Sequence, residues 1–347
     1  MISADIKNIT INDNLDADCD DFILSMSEAK LCHLPEWTKM VEMAFGHKGH
    51  YLVARENNTV CGVLALSYVR SRLFGNRLVS QAFSDYGGPL TMNPAALESL
   101  YDRAIDLANS YGCKSIEFRN TVAMPQALHT RTDKICMHLP LTSDQEIVWK
   151  SLRPQIRNRI RQAEKKGIRI TNGQNELLND FYRLWTIRMH QLGTPCYPRR
   201  FFSSILETFP NNSRIFLAHS GNNIAAAFFV YTFNGFAHSR WGASLREYDS
   251  LSPNYLLNWL AIKFFCNSGM KWFDFGRSTA GSSQHIFKKR WGAQTVQLNW
   301  QYWTRPGEQL SLIKPDNPKY QWKTEMWKRL PLSLTRFLGP KVSCGLP

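Results

Sequence analysis

The chain has 347 residues, 44% of them hydrophobic, and a formal net charge of +14. That length suffices for two ordinary domains, and the hydrophobic share excludes a disordered chain. The charge points to anionic partners, and eight cysteines without a CxxC pair or matching histidine spacing speak against a zinc site and for a reducing compartment.

The first stretch, MISADIKNITINDNLDADCDD, is acidic and polar, so no signal peptide is expected. YLVARENNTVCG (51–62) reads as a hairpin around an Asn-bearing turn. Asp85 in FSDYGGP is read as ending a strand, where its carboxylate would orient an amine. Leu97, Leu100, Tyr101, Ala104, Ile105 and Ala108 form one stripe of a helix that stops at Gly112. The strand GCKSIEFR and a last strand, ICMHLPL (135–141), follow.

Residues 143–168, SDQEIVWKSLRPQIRNRIRQAEKKGI, form a basic connector. Ser143 and Glu146 have capping-box spacing, and Pro154 kinks or restarts the helix. Ile156, Ile160 and Ala163 make a narrow apolar stripe among Arg153, Arg157, Arg159, Arg161, Lys165 and Lys166. Two readings stay open: a solvated charged face, or a surface that tracks phosphates of RNA or lipid headgroups. In HQLGTPCYPRRFF, Gly193, Pro195 and Pro198 predict a stiffened loop presenting Tyr197, Arg199 and Arg200 to an anion.

The second hairpin is IFLAHSGNNIAA (215–226). Its apolar run IAAAFFVYTF falls short of the roughly 20 residues that cross a bilayer and reads as a buried strand. Arg240-Trp241 would line a groove. Tyr248, Asp249 and Asn254 lie where a loop enters a helix, as ligand contacts at exposed N–H groups or, for Asp249 and Asn254, as caps. That helix carries Tyr255, Leu256, Trp259, Leu260, Lys263 and Phe264 on one side and stops at Gly269. GMKWFDFG then parallels GCKSIEFR, and VQLNWQYW (296–303) closes the copy.

The order of hairpin, helix, strand and final strand thus occurs twice, which predicts a duplicated α/β fold. The predicted organisation is an N-terminal domain at 1–142, a C-terminal domain at 143–303 with the basic connector, and a basic aromatic tail at 304–347. The copies differ after the FDFG strand, in RSTAGSSQHIFKKRWGAQ. Gly276 and Gly281 imitate a phosphate-binding P-loop, but Ser282-Ser283 stands where Lys-Ser/Thr is required, so nucleotide hydrolysis is excluded. No GxSxG elbow and no HExxH occurs. In the tail, Trp322, Met326, Trp327 and Leu330 share a helical side with Lys319, Lys323, Lys328 and Arg329 around it. Such a helix either lies in a membrane interface or docks on the second domain.

The connector LRPQIRNRIRQAEKKGI and the segments YPRRFF, SLSPNYLLNW, FDFGRS and FKKRWGA, in that order, resemble the FemAB group of aminoacyl transferases. With the NPKYQWKTEMWKRLPLSLTRFLGP tail they look most like the subgroup associated with exosortase/PEP-CTERM export and exopolysaccharide systems. The resemblance implies two tandem GNAT-like acyltransferase domains, each a mixed sheet flanked by helices. It implies a cytoplasmic enzyme at the inner membrane, without metal or redox cofactor, that moves an amino acid from aminoacyl-tRNA onto an amine of an envelope precursor. Phe287-Lys288 matches the family's phenylalanine and lysine at the reaction centre. The long coiled-coil arm of better-known members is missing; only 143–168 corresponds.

Acyl transfer to an amine needs a neutral amine, aligned substrates, and a cation or N–H donors at the oxygen that gains charge. Lys288 or Lys289 supplies the cation in this reading, Arg277 grips a phosphate or carboxylate, and 276–283 offers backbone N–H groups. His285 is a weaker candidate base, without a visible carboxylate partner. An acyl-CoA donor is the enzymatic alternative, although DYGGPLTMNPAAL and REYDSLSPNYLL both lack the R/Q-x-x-G-x-G/A phosphate loop of acetyltransferases. A non-catalytic RNA- or membrane-binding module is the other.

Overall fold

The computed structural model describes residues 9–13, 15–71, 75–123, 128–310 and 318–346, the side chains of 318–320 excepted. In chain order it contains β1 (Ile9–Asn12), α1 (Ala17–Ser25), α2 (Pro35–Phe45), β2 (Lys48–Glu56), β3 (Thr59–Val69), β4 (Arg77–Ser80), β5 (Leu90–Thr91), α3 (Pro94–Ser110), β6 (Ser115–Asn120) and β7 (His129–Arg131). There follow β8 (Lys134–Pro140), α4 (Gln145–Ser151), α5 (Pro154–Lys165), β9 (Ile168–Gly173), α6 (Leu178–Leu192), α7 (Arg199–Thr208), β10 (Ser213–Ser220), β11 (Asn223–Phe233) and β12 (Phe236–Ser244). The chain ends with α8 (Pro253–Asn267), β13 (Trp272–Thr279), α9 (Ser283–Arg290), β14 (Gln294–Gln297), β15 (Asn299–Thr304), α10 (Pro318–Arg329) and α11 (Leu332–Ser343).

Two compact units result. One comprises Met1–Thr132, Leu298–Ser311 and Cys344–Pro347; the other comprises Asp133–Gln297 and Leu312–Ser343. The first sheet runs β1-β2-β3-β4-β6-β15-β7, with β5 beside β3, and the second runs β9-β10-β11-β12-β13-β8-β14. The two orders correspond position by position, down to one parallel pair in each, β4 with β6 and β12 with β13. The predicted duplication is therefore a duplication of topology.

The final strands are where the structure departs from the sequence reading. Residues 134–140 were expected to close the first copy, yet β8 pairs with β13 and β14 in the second sheet. Residues 299–304 were expected to close the second copy, yet β15 pairs with β6 and β7 in the first. A strand's apolar alternation fixes which face it buries but not which sheet supplies its partner.

Helices pack against the sheet of each unit. In the first, α3 inserts Leu97, Leu100, Tyr101, Ala104 and Ala108 as its periodicity requires, and it stops where Gly112 takes φ 63°. In the second, α8 lies on the sheet and is itself flanked by α5, whose Ile156, Ile160 and Ala163 are the predicted stripe and are all buried. With two sides covered, α8 buries Leu257, Ala261, Ile262 and Phe265 beyond the predicted stripe, and leaves Lys263 exposed. On the other sheet face, α6 and α7 form an aromatic layer of Phe181, Phe201 and Phe202 against Phe229 and Trp241. Among the described residues no helix is long and apolar enough to cross a membrane.

Candidate active site

β12 and β13 are paired over three positions only, Phe236–His238 with Trp272–Asp274. Both strands then bulge. On β12, Phe229 of β11 faces Trp241 and Val230 faces Ser239, so Arg240 is the inserted residue. On β13, Asp274 faces His138 and Arg277 faces Cys136, so one extra residue sits at Phe275–Gly276. Gly276 takes φ 72°, and a methyl there would lie 3.1 Å from the Ser239 carbonyl oxygen. Only glycine meets both demands, the left-handed backbone and the close approach of the Ser239–Arg240 main chain.

Asp274 fixes this bulge. The residue is 1% exposed. One carboxylate oxygen accepts the Gly276 N–H at 2.7 Å, and the other accepts His238 Nδ1–H at 3.0 Å with His138 Nε2 at 3.6 Å. Burial opposes the charge, yet the hydrogen bonds and positive charge of His138 and His238 hold the carboxyl well below the usual carboxylate range. β8, β13 and β12 each contribute one member of this row. Sequence reading missed it because its members come from 138, 238 and 274, and only strand order makes them neighbours.

After β13 only Ala280–Ser282 form a turn before α9, so the small-residue loop expected from 276 is mostly strand. Ser282 caps α9 by accepting the His285 N–H at 3.2 Å. Lys288, half-buried in the last turn, donates to the Gly276 carbonyl at 2.9 Å and the Arg277 carbonyl at 3.0 Å. Its ammonium is thus held against β13 just beyond the stretch paired with β12. The neighbours on α9 do other work. Phe287 packs edge-on to Tyr255 at 5.4 Å and to Trp291 at 6.3 Å, Lys289 is exposed, and Arg290 faces a groove. His285 accepts the Gly281 N–H on Nδ1 at 3.0 Å. Its proton therefore sits on Nε2, and its one basic lone pair, on Nδ1, is engaged by the Gly281 N–H.

The groove, about 610 Å³, lies between α5 and the starts and ends of α8 and α9, lined by Arg153, Asn158, Arg159, Gln162, Tyr255 and Arg290. No acidic residue occupies the first turn of α8, and the preceding Ser252, at φ 58°, makes no side-chain cap. Three arginines around an uncapped helix start make an electropositive cradle for an anion. Asp249 and Asn254 are not the caps considered from sequence. The Asp249 carbonyl accepts Ser252 N–H, and the Asn254 carbonyl accepts Asn258 Nδ2 at 2.7 Å. Tyr248 is half-buried in the preceding 3-10 turn.

The remaining predicted residues scatter. Arg240 stacks its guanidinium 5.3 Å from the Trp241 ring, inside the β12 bulge. Arg277 is half-buried one residue past Gly276. Tyr197 sits edge-on to Phe201 at 5.5 Å, in the α6–α7 aromatic layer. Arg199 and Arg200 are not on a loop: they open α7, because Pro198 sets an extended start and Phe201, Phe202, Ile205 and Leu206 supply a buried helical face. Arg199 Nε donates to Asn179 Oδ1 at 2.9 Å. Asp85 belongs to the first unit, five residues past β4 rather than at its end. It is 4% exposed, and its carbonyl accepts Trp300 Nε1–H at 3.2 Å.

The first unit has a smaller cavity of about 200 Å³ that sequence reading did not foresee, with Lys30, His33, Tyr86, Arg119 and Asn120 in its wall. His33 is buried, so its pKa falls to about 4 and the ring is neutral near pH 7, where it meets the Gly88 carbonyl at 3.1 Å. Asn120 donates to Tyr101 Oη and Gln301 Oε1 at 3.0 and 2.8 Å, while its own buried oxygen has no partner among the described residues.

Residues 150–289 match the family model described as Acetyltransferase (GNAT) domain. No curated protein matches the chain. Among solved structures, FemX is similar at 15% identity over 91% of this chain and 100% of its own, with a TM-score of 0.67. A tandem GNAT protein from the clavulanic acid biosynthesis pathway is similar at 12% identity over 87% and 100%, TM-score 0.53. L-PGS from Bacillus licheniformis is similar at 12% identity over 86% and 98%, TM-score 0.52. The two sheets of matching strand order are therefore those of an α/β protein with the tandem GNAT-like fold.

Proposed function

We propose that this protein is a FemAB-like transferase that makes an amide bond, moving an aminoacyl or acyl group onto an amine of a cell-envelope or exopolysaccharide precursor, as in the PEP-CTERM-associated subgroup. The observation that carries the reading is the Lys288 ammonium, fixed on the Gly276 and Arg277 carbonyls at the bulge of β13, just past its pairing with β12. In the reaction the neutral amine attacks the acyl carbon. A C–N bond forms, the C–O or C–S bond to the donor breaks, and the amine proton leaves with the donor's alcohol or thiol. A fixed cation beside the carbonyl oxygen offsets the charge of the tetrahedral intermediate without reorganising. The arginines of the groove hold the phosphates of the donor, aminoacyl-tRNA in this reading, and the acceptor is an anionic or lipid-linked precursor. What FemX and L-PGS share with this chain by their folds supports such envelope chemistry.

The second reading, an acyl-CoA-dependent N-acyltransferase, is favoured by the GNAT family match over 150–289. Calorimetric titration separates the two: heat of CoA binding supports the second, and binding of aminoacyl-tRNA but not CoA supports the first. Lys288→Ala is expected to abolish transfer to precursors, read by mass spectrometry of cells with and without the protein, while the melting curve is kept. Full transfer by that variant removes Lys288 from the reaction.

A further inference from the structure

α10 and α11 dock on the second unit against α6 but leave several large apolar side chains in solvent. The fully buried residues of α11 are small or polar. Thr335 and Ser343 are buried, and a methyl on the buried Gly339 would lie 2.7 Å from Cys196 Sγ. Ser343 Oγ donates to the Cys196 carbonyl at 3.0 Å, and Arg336 Nε donates to Thr186 Oγ1 at 2.9 Å. Four large apolar side chains face solvent beside charged ones. Trp322 is 56% exposed, Met326 50%, Leu334 39% and Phe337 63%. Spacings of four residues on α10 and three on α11 put each pair on one helix face. An amphipathic helix that merely covered the domain would turn these side chains inward.

Charge accompanies the apolar face. Residues 318–343 hold six Lys or Arg against one acidic residue, Glu325, which is paired with Lys328 at 2.6 Å. The ammonium of Lys323 lies 5.7 Å from the Trp322 ring and that of Lys341 lies 4.2 Å from the Phe337 ring. Each exposed aromatic therefore carries a cation that can reach phosphate while the ring enters the acyl boundary. We infer that α10 and α11 form a docking face for an anionic phospholipid surface. A second copy of this chain is the poorer occupant, because it would bring the same positive face. The inference is independent of the acyl-transfer reading, since none of these residues belongs to the β12–β13 site.

The test is flotation of the full chain with vesicles of phosphatidylcholine alone or with phosphatidylglycerol. Expected are binding to the anionic vesicles only, weakening as salt rises, and loss of about 10-fold each for Trp322→Ala and Phe337→Ala. Lys323→Gln and Lys341→Gln should each cost about 5-fold. All four side chains are at the surface, so the variants should keep the wild-type melting temperature. No binding to anionic vesicles, equal binding to neutral ones, or unchanged binding by the Trp322 and Phe337 variants overturns the proposal. So does concentration-dependent self-association, without vesicle binding, that the same substitutions remove.

Discussion

Replacing Asp274 with alanine tests whether the buried row organises the bulged ends of β12 and β13. The carboxylate is 1% exposed and receives Gly276 N–H, His238 and His138. Alanine leaves a buried N–H and two imidazoles without their acceptor. Each orphaned donor costs about 1–3 kcal/mol, and breaking a buried charged pair about 3–5 kcal/mol. The effects share one group and do not add, so the expected loss is about 3–5 kcal/mol. Urea unfolding followed by tryptophan fluorescence reads it as a lower midpoint at unchanged slope. Asp274→Asn keeps an acceptor for Gly276 but removes the charge, and should fall between. Its pH dependence has a definite sign. The folded carboxyl titrates below its unfolded value, so the charge stabilises fully above about pH 4 and progressively less as pH falls toward the folded value. The gap between wild type and the Asn variant should therefore be constant near neutrality and close below about pH 4. A loss under about 1 kcal/mol for alanine, or a gap that widens in acid, would falsify the assignment of Asp274 as the organising group.

Gly276→Ala should cost about 1–3 kcal/mol, from the left-handed backbone and the 3.1 Å approach to Ser239. It should also lower turnover more than stability alone explains, because the shifted carbonyl is an acceptor of Lys288; wild-type kinetics in the folded variant would contradict this. The imidazole of His33 should titrate near pH 4 by NMR. Its folded pKa lies below the usual His value, so it should withdraw stability as pH drops from about 6.5 toward 4. A midpoint near 6.5 would show that the ring is not buried as described.

Local pattern reached far in this chain. The hairpin turn at Asn57–Asn58, with φ 49° and 67°, the buried faces of α3 and α5, the helix stops at Gly112 and Gly269, and the repeated order of elements all follow from short-range rules. So does the basic face of α5, because charges at helical spacing must surround the stripe that the core takes. The candidate site was legible only in part. Lys288 packs on β13 at the Gly276 and Arg277 carbonyls, which the closeness of FDFG and FKKRW in the sequence allows. Tyr197 does lie in the stretch before α7, but Arg199 and Arg200 open that helix, since a proline before a helix resembles a proline in a loop until its buried face is known.

What remained was decided by pairing across long sequence separations. Nothing within residues 134–140 states that β8 will lie between β13 and β14, or within 299–304 that β15 will lie beside β6, because backbone hydrogen bonds are alike in every strand. That exchange sets His138 beside Asp274, and the parallel register of β12 sets His238 on its other side. The sequence by itself determined the elements, their buried faces and the charge. The tertiary structure alone chose the partners, and with them the buried carboxylate that shapes the bulge on which Lys288 is held.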